Sequence, residues 1–147
     1  MPMVKETILI LDKESHNRWF LKTLLENEKY IVTTIDTIDR AIQNFSEFEV
    51  SGFVTEYLVD KISTIDVIRE LRKRFPEAYV MMLTDNTVTD KEYEEIIEAG
   101  VDDYFLKPFS SKRILTHIRK GLKQRRLSLE RARSEKESGR NRPSKGS

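Results

Sequence analysis

A chain of 147 residues holds one domain of ordinary size with some length to spare. The absence of cysteine excludes disulfide frameworks and thiolate metal sites, and no apolar run reaches the roughly 18 residues of a membrane span. The start MPMVKETILILDKE lacks the long apolar region of a signal peptide, so a cytoplasmic protein without a membrane segment is expected. The net charge of +1 hides an asymmetry: 11 Lys/Arg stand against 3 Asp/Glu from Arg119 onward, and 15 against 22 before it. An acidic body therefore carries a basic tail.

Taken in chain order, TILIL (Thr7–Leu11) is a short, wholly apolar run of the kind a strand buried on both faces shows. Ser15 offers an N-cap to a first helix with Phe20, Leu21, Leu24 and Leu25 on its buried stripe. The β-branched run YIVTTI (Tyr30–Ile35) is the second strand. A short helix follows from Asp39 to about Phe45, and GFVTE is the third strand. Ile65, Ile68 and Leu71 mark a third helix closed by Pro76, and YVMMLT (Tyr79–Thr84) is the fourth strand. Asp90 to Ala99 forms a fourth helix ending at Gly100, which suits the left-handed C-terminal position. DYFL (Asp103–Leu106) is a fifth strand, and Ser110 or Ser111 caps a last helix burying Ile114, Leu115, Ile118 and Leu122.

Five strands alternating with five helices imply right-handed crossovers, hence an α/β, doubly wound, five-stranded parallel sheet with helices on both faces. Functional groups in such sheets gather beyond the carboxyl ends of the strands. Asp12, Glu56, Thr84 and Lys107 all fall there. The domain is expected over residues 1–122, with 123–147 as a basic tail. KQRRLSLERARSEKES has good helix formers but few apolar residues, so the last helix is expected to run on as a polar linker toward an output domain or a partner. GRNRPSKGS has the composition of a disordered segment.

Laid end to end, ILILDKE, the strand ending in Glu56, MMLT and GVDDYFLKPF resemble the receiver domain of bacterial two-component response regulators, over roughly residues 5–122. The resemblance implies the (βα)5 flavodoxin-like fold and a cis Lys107–Pro108 peptide. It also implies a place in signal transduction or a phosphorelay. In that family two consecutive acids hold Mg²⁺, and a carboxylate on the third strand accepts a phosphoryl group. A hydroxyl and a lysine bind that group, and an aromatic changes rotamer. Carried over, Asp12 is the first acid, Glu56 stands at the acceptor position, Thr84 is the hydroxyl, Lys107 the lysine and Tyr104 the switch aromatic.

Two positions depart from the pattern: Lys13 replaces the second acid, and Glu56 replaces the acceptor aspartate. Mg²⁺ demands hard oxygen ligands. Two unit charges about 4 Å apart repel by roughly 4 kcal/mol at an effective dielectric of about 20, and about twice that for a divalent ion beside Lys13. The extra methylene of Glu56 displaces the attacking oxygen, and a misplacement of about 1 Å costs on the order of 100-fold in rate. The Mg²⁺ site is therefore expected to be lost, with the Lys13 ammonium either among Asp12 and Glu56, Lys107 lying on the far side, or extended into water. The leading expectation is a pseudo-receiver without enzymatic activity, working as a phosphorylation-independent interaction module. Its expected contact face is helix four, strand five and helix five, toward a signalling protein or a second copy. Alternatives are a working receiver phosphorylated at an unusual acceptor, or nucleic-acid binding by the tail. The tail lacks aromatics and DNA-binding motifs, which disfavours that last reading.

His16 and His117 are expected on helix surfaces, and Asp102 and Asp103 as solvated turn residues. Trp19 is expected at the edge of a buried stripe or at a protein contact.

Overall fold

Residues along the first strand, β1 (Thr7–Leu11), alternate between two cores, and this alternation organises the molecule. The computed structural model describes residues 5–141. Leu9 and Leu11 pack on one side with residues of α2 (Ile38–Glu47), α3 (Ile65–Arg74) and α4 (Asp90–Ala99). Ile8 and Ile10 pack on the other with α1 (Ser15–Glu26) and α5 (Ser111–Asn141). The remaining central strands are β2 (Ile31–Ile35), β3 (Gly52–Thr55), β6 (Tyr79–Thr84) and β7 (Asp103–Leu106). All pair in parallel in the order β2-β1-β3-β6-β7. This is the doubly wound α/β sheet that the sequence pattern predicts, and every residue of β6 is buried.

A small antiparallel hairpin, β4 (Leu58–Val59) and β5 (Ile62–Ser63), escapes the sequence pattern. Its two-residue turn, Asp60–Lys61, has positive φ at both positions (51° and 64°), the backbone such hairpin turns require.

Several local expectations shift. Ser15 is the first residue of α1 rather than its cap; the Asp12 carboxylate instead accepts the Glu14 N–H at 2.9 Å. Thr37 caps α2 by accepting from Arg40 N–H, and Ser110 accepts from Arg113 N–H ahead of α5. Gly100 closes α4 at φ 111°, as predicted. In α1 only Leu21 and Leu25 are buried, and Phe20 lies at the surface against the Phe109 ring. Trp19 is 64% exposed rather than packed at a boundary. α5 runs on through Gly139, Arg140 and Asn141, where composition predicts disorder; the rest of that segment lies outside the described residues.

Candidate functional site

Strand ends place the rim residues. β1 continues to Asp12, whose N–H donates to Ile35 O at 3.1 Å. β3 continues to Glu56, whose N–H donates to Leu11 O at 3.0 Å. Lys107 donates its own N–H to Thr84 O at 2.8 Å, and the Lys107–Pro108 peptide that follows is cis. Asp12, Glu56 and Thr84 are buried, and the Lys107 side chain is 11% exposed.

Lys107 is the centre of the rim. Its ammonium lies 2.9 Å from Asp12 Oδ2 and 2.9 Å from Glu56 Oε2, with Asp85 Oδ1 at 4.0 Å. Burial works against its charge, but the Glu56 and Asp12 carboxylates outweigh it and hold the ammonium above the ordinary lysine range. The other two carboxylate oxygens are also engaged: Asp12 Oδ1 accepts from Glu14 N–H, and Glu56 Oε1 accepts from Tyr57 N–H at 2.9 Å. The longer side chain of glutamate lets Glu56 fold back onto the backbone just after it.

Lys13 is not where charge balance alone puts it. Its side chain is 52% exposed and turns away from Asp12 and Glu56 to Asp60 in the hairpin turn, at 3.3 Å. The expected cluster of two acids and two lysines is thus two acids sharing the single Lys107. The second lysine is unnecessary because one ammonium already bridges both carboxylates. Thr84 Oγ1 accepts from Asn86 N–H at 3.0 Å and Asn86 Nδ2 at 3.3 Å, so its hydroxyl is bound into the loop ahead of α4. Tyr104 is half-buried, donates to Asn86 O at 3.3 Å and meets the Tyr93 ring edge-on at 5.6 Å. Burial, with the nearby Glu56 charge, raises its phenol above the ordinary range.

The response regulator receiver domain family matches residues 8–119 of this chain. The chain belongs to that family. A receiver domain protein (CheY-like) from Methanospirillum hungatei JF-1 superposes with a TM-score of 0.80 at 19% identity, covering 85% of this chain and 99% of the other. A probable transcriptional regulator, ycf27, of Porphyridium aerugineum is 31% identical over 83% of this chain and 50% of its own length. The transcriptional regulatory protein ResD of Bacillus subtilis is 28% identical over 81% of this chain and 49% of its own. The chain spans about half the length of the curated relatives it matches.

This receiver domain also ties its rim to α4 through residues that sequence reading passes over. The Tyr57 hydroxyl donates to Glu92 Oε2 at 3.0 Å. Glu92 in turn closes a capping box with Thr89, which holds its carboxyl below the usual range together with the Tyr57 bond. Thr89-x-x-Glu92 is a readable capping signature, so that half of the contact was available in the sequence.

Elsewhere, the acid pair after α4 and one histidine differ from expectation. Asp102 accepts from Val80 N–H at 2.8 Å and pairs with Arg72 at 2.9 Å, and Asp103 accepts from the Tyr79 hydroxyl at 2.5 Å. Both acids therefore fasten the start of β7 rather than idling in a turn. His117 is half-buried, edge-on to Phe105 and 3.5 Å from Asp103, whereas His16 is exposed on α1 as expected. Among the described residues, no helix is long and apolar enough to cross a membrane.

Proposed function

We propose that this receiver domain acts in two-component-type signalling as a pseudo-receiver, a phosphorylation-independent interaction module with no catalysis of its own. One observation carries the reading: Lys107 closes Asp12 and Glu56 into a buried ion triad while Lys13 occupies the second acid's place in the chain. Mg²⁺ needs several hard oxygen donors at about 2.0–2.1 Å. The rim offers two buried carboxylates, each already giving one oxygen to an ammonium and the other to a backbone N–H, with the exposed Asp85 at its edge. Among the described residues, no group of three His, Cys, Asp or Glu is placed to hold a metal. This donor set does not suit the ion. Glu56, one methylene longer than aspartate and folded toward Tyr57 N–H, is poorly aimed as a nucleophile.

The contact surface in this reading is the face of α4, β7 and α5, where Tyr93, Ile97 and Leu106 are exposed. It suits a cytoplasmic signalling protein or a second copy of the chain. Relatives named as transcriptional regulators are about twice the matched length, which supports an output domain connected through α5. Nucleic-acid binding by the tail is disfavoured because Arg119, Arg125 and Arg126 are already paired with Glu28, Glu49 and Glu6.

Incubation with acetyl phosphate and Mg²⁺, read by intact mass, tests the proposal. No mass gain is expected. Stoichiometric gain of one phosphoryl group, abolished by Glu56→Gln, would establish a working receiver with an unusual acceptor instead.

A further inference from the structure

α5 has 31 residues, roughly 46 Å at about 1.5 Å per residue, yet its fully buried residues are Ile114, Ile118 and Leu122. Past Leu122 only Arg125, Leu127 and Ser128 are half-buried, up to Glu137. A helix that is polar all round has little intrinsic reason to persist in water. Its continuation needs another source of order.

That source lies at the amino-terminal edge of the sheet, opposite the rim. Arg119 pairs with Glu28 just after α1. Arg125 pairs with Glu49 ahead of β3 at 3.0 Å, and Arg126 pairs with Glu6 ahead of β1. Three arginines within about two helical turns thus grip three separate segments of the body. Two of the pairs have one buried member: the Glu6 side chain is 9% exposed and that of Arg125 is 12%. Glu6 Oε2 and Arg125 Nε have no hydrogen-bond partner among the described residues, so the ion pairs made by Glu6 Oε1 and Arg125 Nη2 are what compensates each buried charge. Gly121 lets the helix lie this close, because a Cβ there would overlap the Tyr79 ring. The acidic excess of the body and the basic excess of the tail meet here.

We infer that this arginine–glutamate row is a clamp that locks α5 to the receiver body and keeps it helical beyond Leu122, making it a rigid lever. The helix then leaves the domain in one fixed direction, so rotation of the body is carried into whatever α5 joins. Only this last consequence rests on the proposed connection to an output domain or partner; the clamp itself stands on the geometry.

Hydrogen exchange of the full chain tests the clamp, comparing wild type with E6Q/E28Q/E49Q. Amides from Lys123 to Arg133 should exchange at least about 10-fold faster in the variant, while those of β1, β3 and β6 keep their protection. Should the buried Glu6 prove indispensable for folding, E28Q/E49Q, which spares it, should still accelerate exchange over the same segment. Raising the salt concentration should do so in the wild type, since all three pairs are partly solvated. The reversed pair E49R/R125E should restore protection relative to R125E alone. Unchanged exchange in the variants that fold, or no rescue by reversal, overturns the clamp. Phosphoryl uptake is read by mass at the opposite edge, so failure of either proposal is recognised separately.

Discussion

The two ends of the sheet use the same chemistry for different purposes. At the carboxyl-terminal rim, one buried lysine satisfies two buried acids, and every carboxylate oxygen has a partner. At the amino-terminal edge, three arginines each meet one acid, and each pair keeps at least one solvated member. The rim arrangement engages both oxygens of Asp12 and of Glu56, which is what supports the proposed loss of metal and phosphoryl chemistry. The edge arrangement adds order to a helix that packing alone holds only to Leu122. In the two proposals, ion pairs subtract reactivity at one end and add rigidity at the other. The difference follows from burial, because a mostly buried ammonium shared by two acids is hard to displace and a half-solvated pair exchanges readily.

The largest change should come from reopening the rim. In the variant K13D/E56D the second acid returns and the acceptor carboxylate shortens by one methylene. The chain would then carry a second acid directly after Asp12 in place of an ammonium, which adds a hard oxygen donor for a divalent ion. Incubation with acetyl phosphate and Mg²⁺ should give stoichiometric phosphoryl uptake by intact mass where the wild type gives none. E56D alone should stay far below it, since Lys13 still stands in the second acid's place. Equal uptake by E56D and the double variant would show that Lys13 is irrelevant and that the acceptor alone decides.

A smaller but still severe effect is expected from Lys107→Met. The substitution keeps the apolar stem and leaves Asp12 and Glu56 as two adjacent buried carboxylates without a counter-charge. Breaking a buried pair in this way costs about 3–5 kcal/mol, measurable by urea unfolding at neutral pH. In the wild type the Lys107 pKa is raised on folding, so its contribution is complete below the unfolded value near 10.4 and is lost as pH rises through the folded one. The variant should lack that alkaline loss. A cost under about 1 kcal/mol would mean the triad is far more hydrated than its burial indicates.

Much of this was legible in the residues. Unbroken apolar runs such as TILIL and YVMMLT have one stable solution, a strand covered on both faces, and strand ends then fix where Asp12, Glu56, Thr84 and Lys107 meet. What stayed hidden depends on side-chain direction and on turns. Lys13 could follow the Asp12 and Glu56 charges inward or find another acid, and the choice is set by the Asp60–Lys61 turn, whose positive φ no apolar pattern reveals. Asp102 and Asp103 look like turn residues because their partners, Val80 N–H, Arg72 and Tyr79, lie more than 20 residues away. The basic tail likewise looks free until Glu6, Glu28 and Glu49 are brought beside it from three distant segments.

The subtlest expected effect concerns the link from rim to contact face. Tyr57 follows Glu56 directly and donates to Glu92 in the first turn of α4, so the acceptor position and α4 are joined without passing through Thr84 or Tyr104. Tyr57→Phe removes that bond and leaves the Thr89–Glu92 capping box in place. The Glu92 carboxyl is held below its usual pKa first by the Thr89 backbone N–H and then by the Tyr57 hydroxyl. Its favourable interactions are therefore present above its unfolded pKa and are lost as pH falls through the depressed folded value. In the variant, an NMR titration should find the Glu92 pKa moved part of the way back up, and amide exchange at Asp90–Tyr93 should quicken modestly. If the pKa moves while exchange does not, the capping box alone fixes α4, and rim and contact face are joined more loosely than the Tyr57 bond implies.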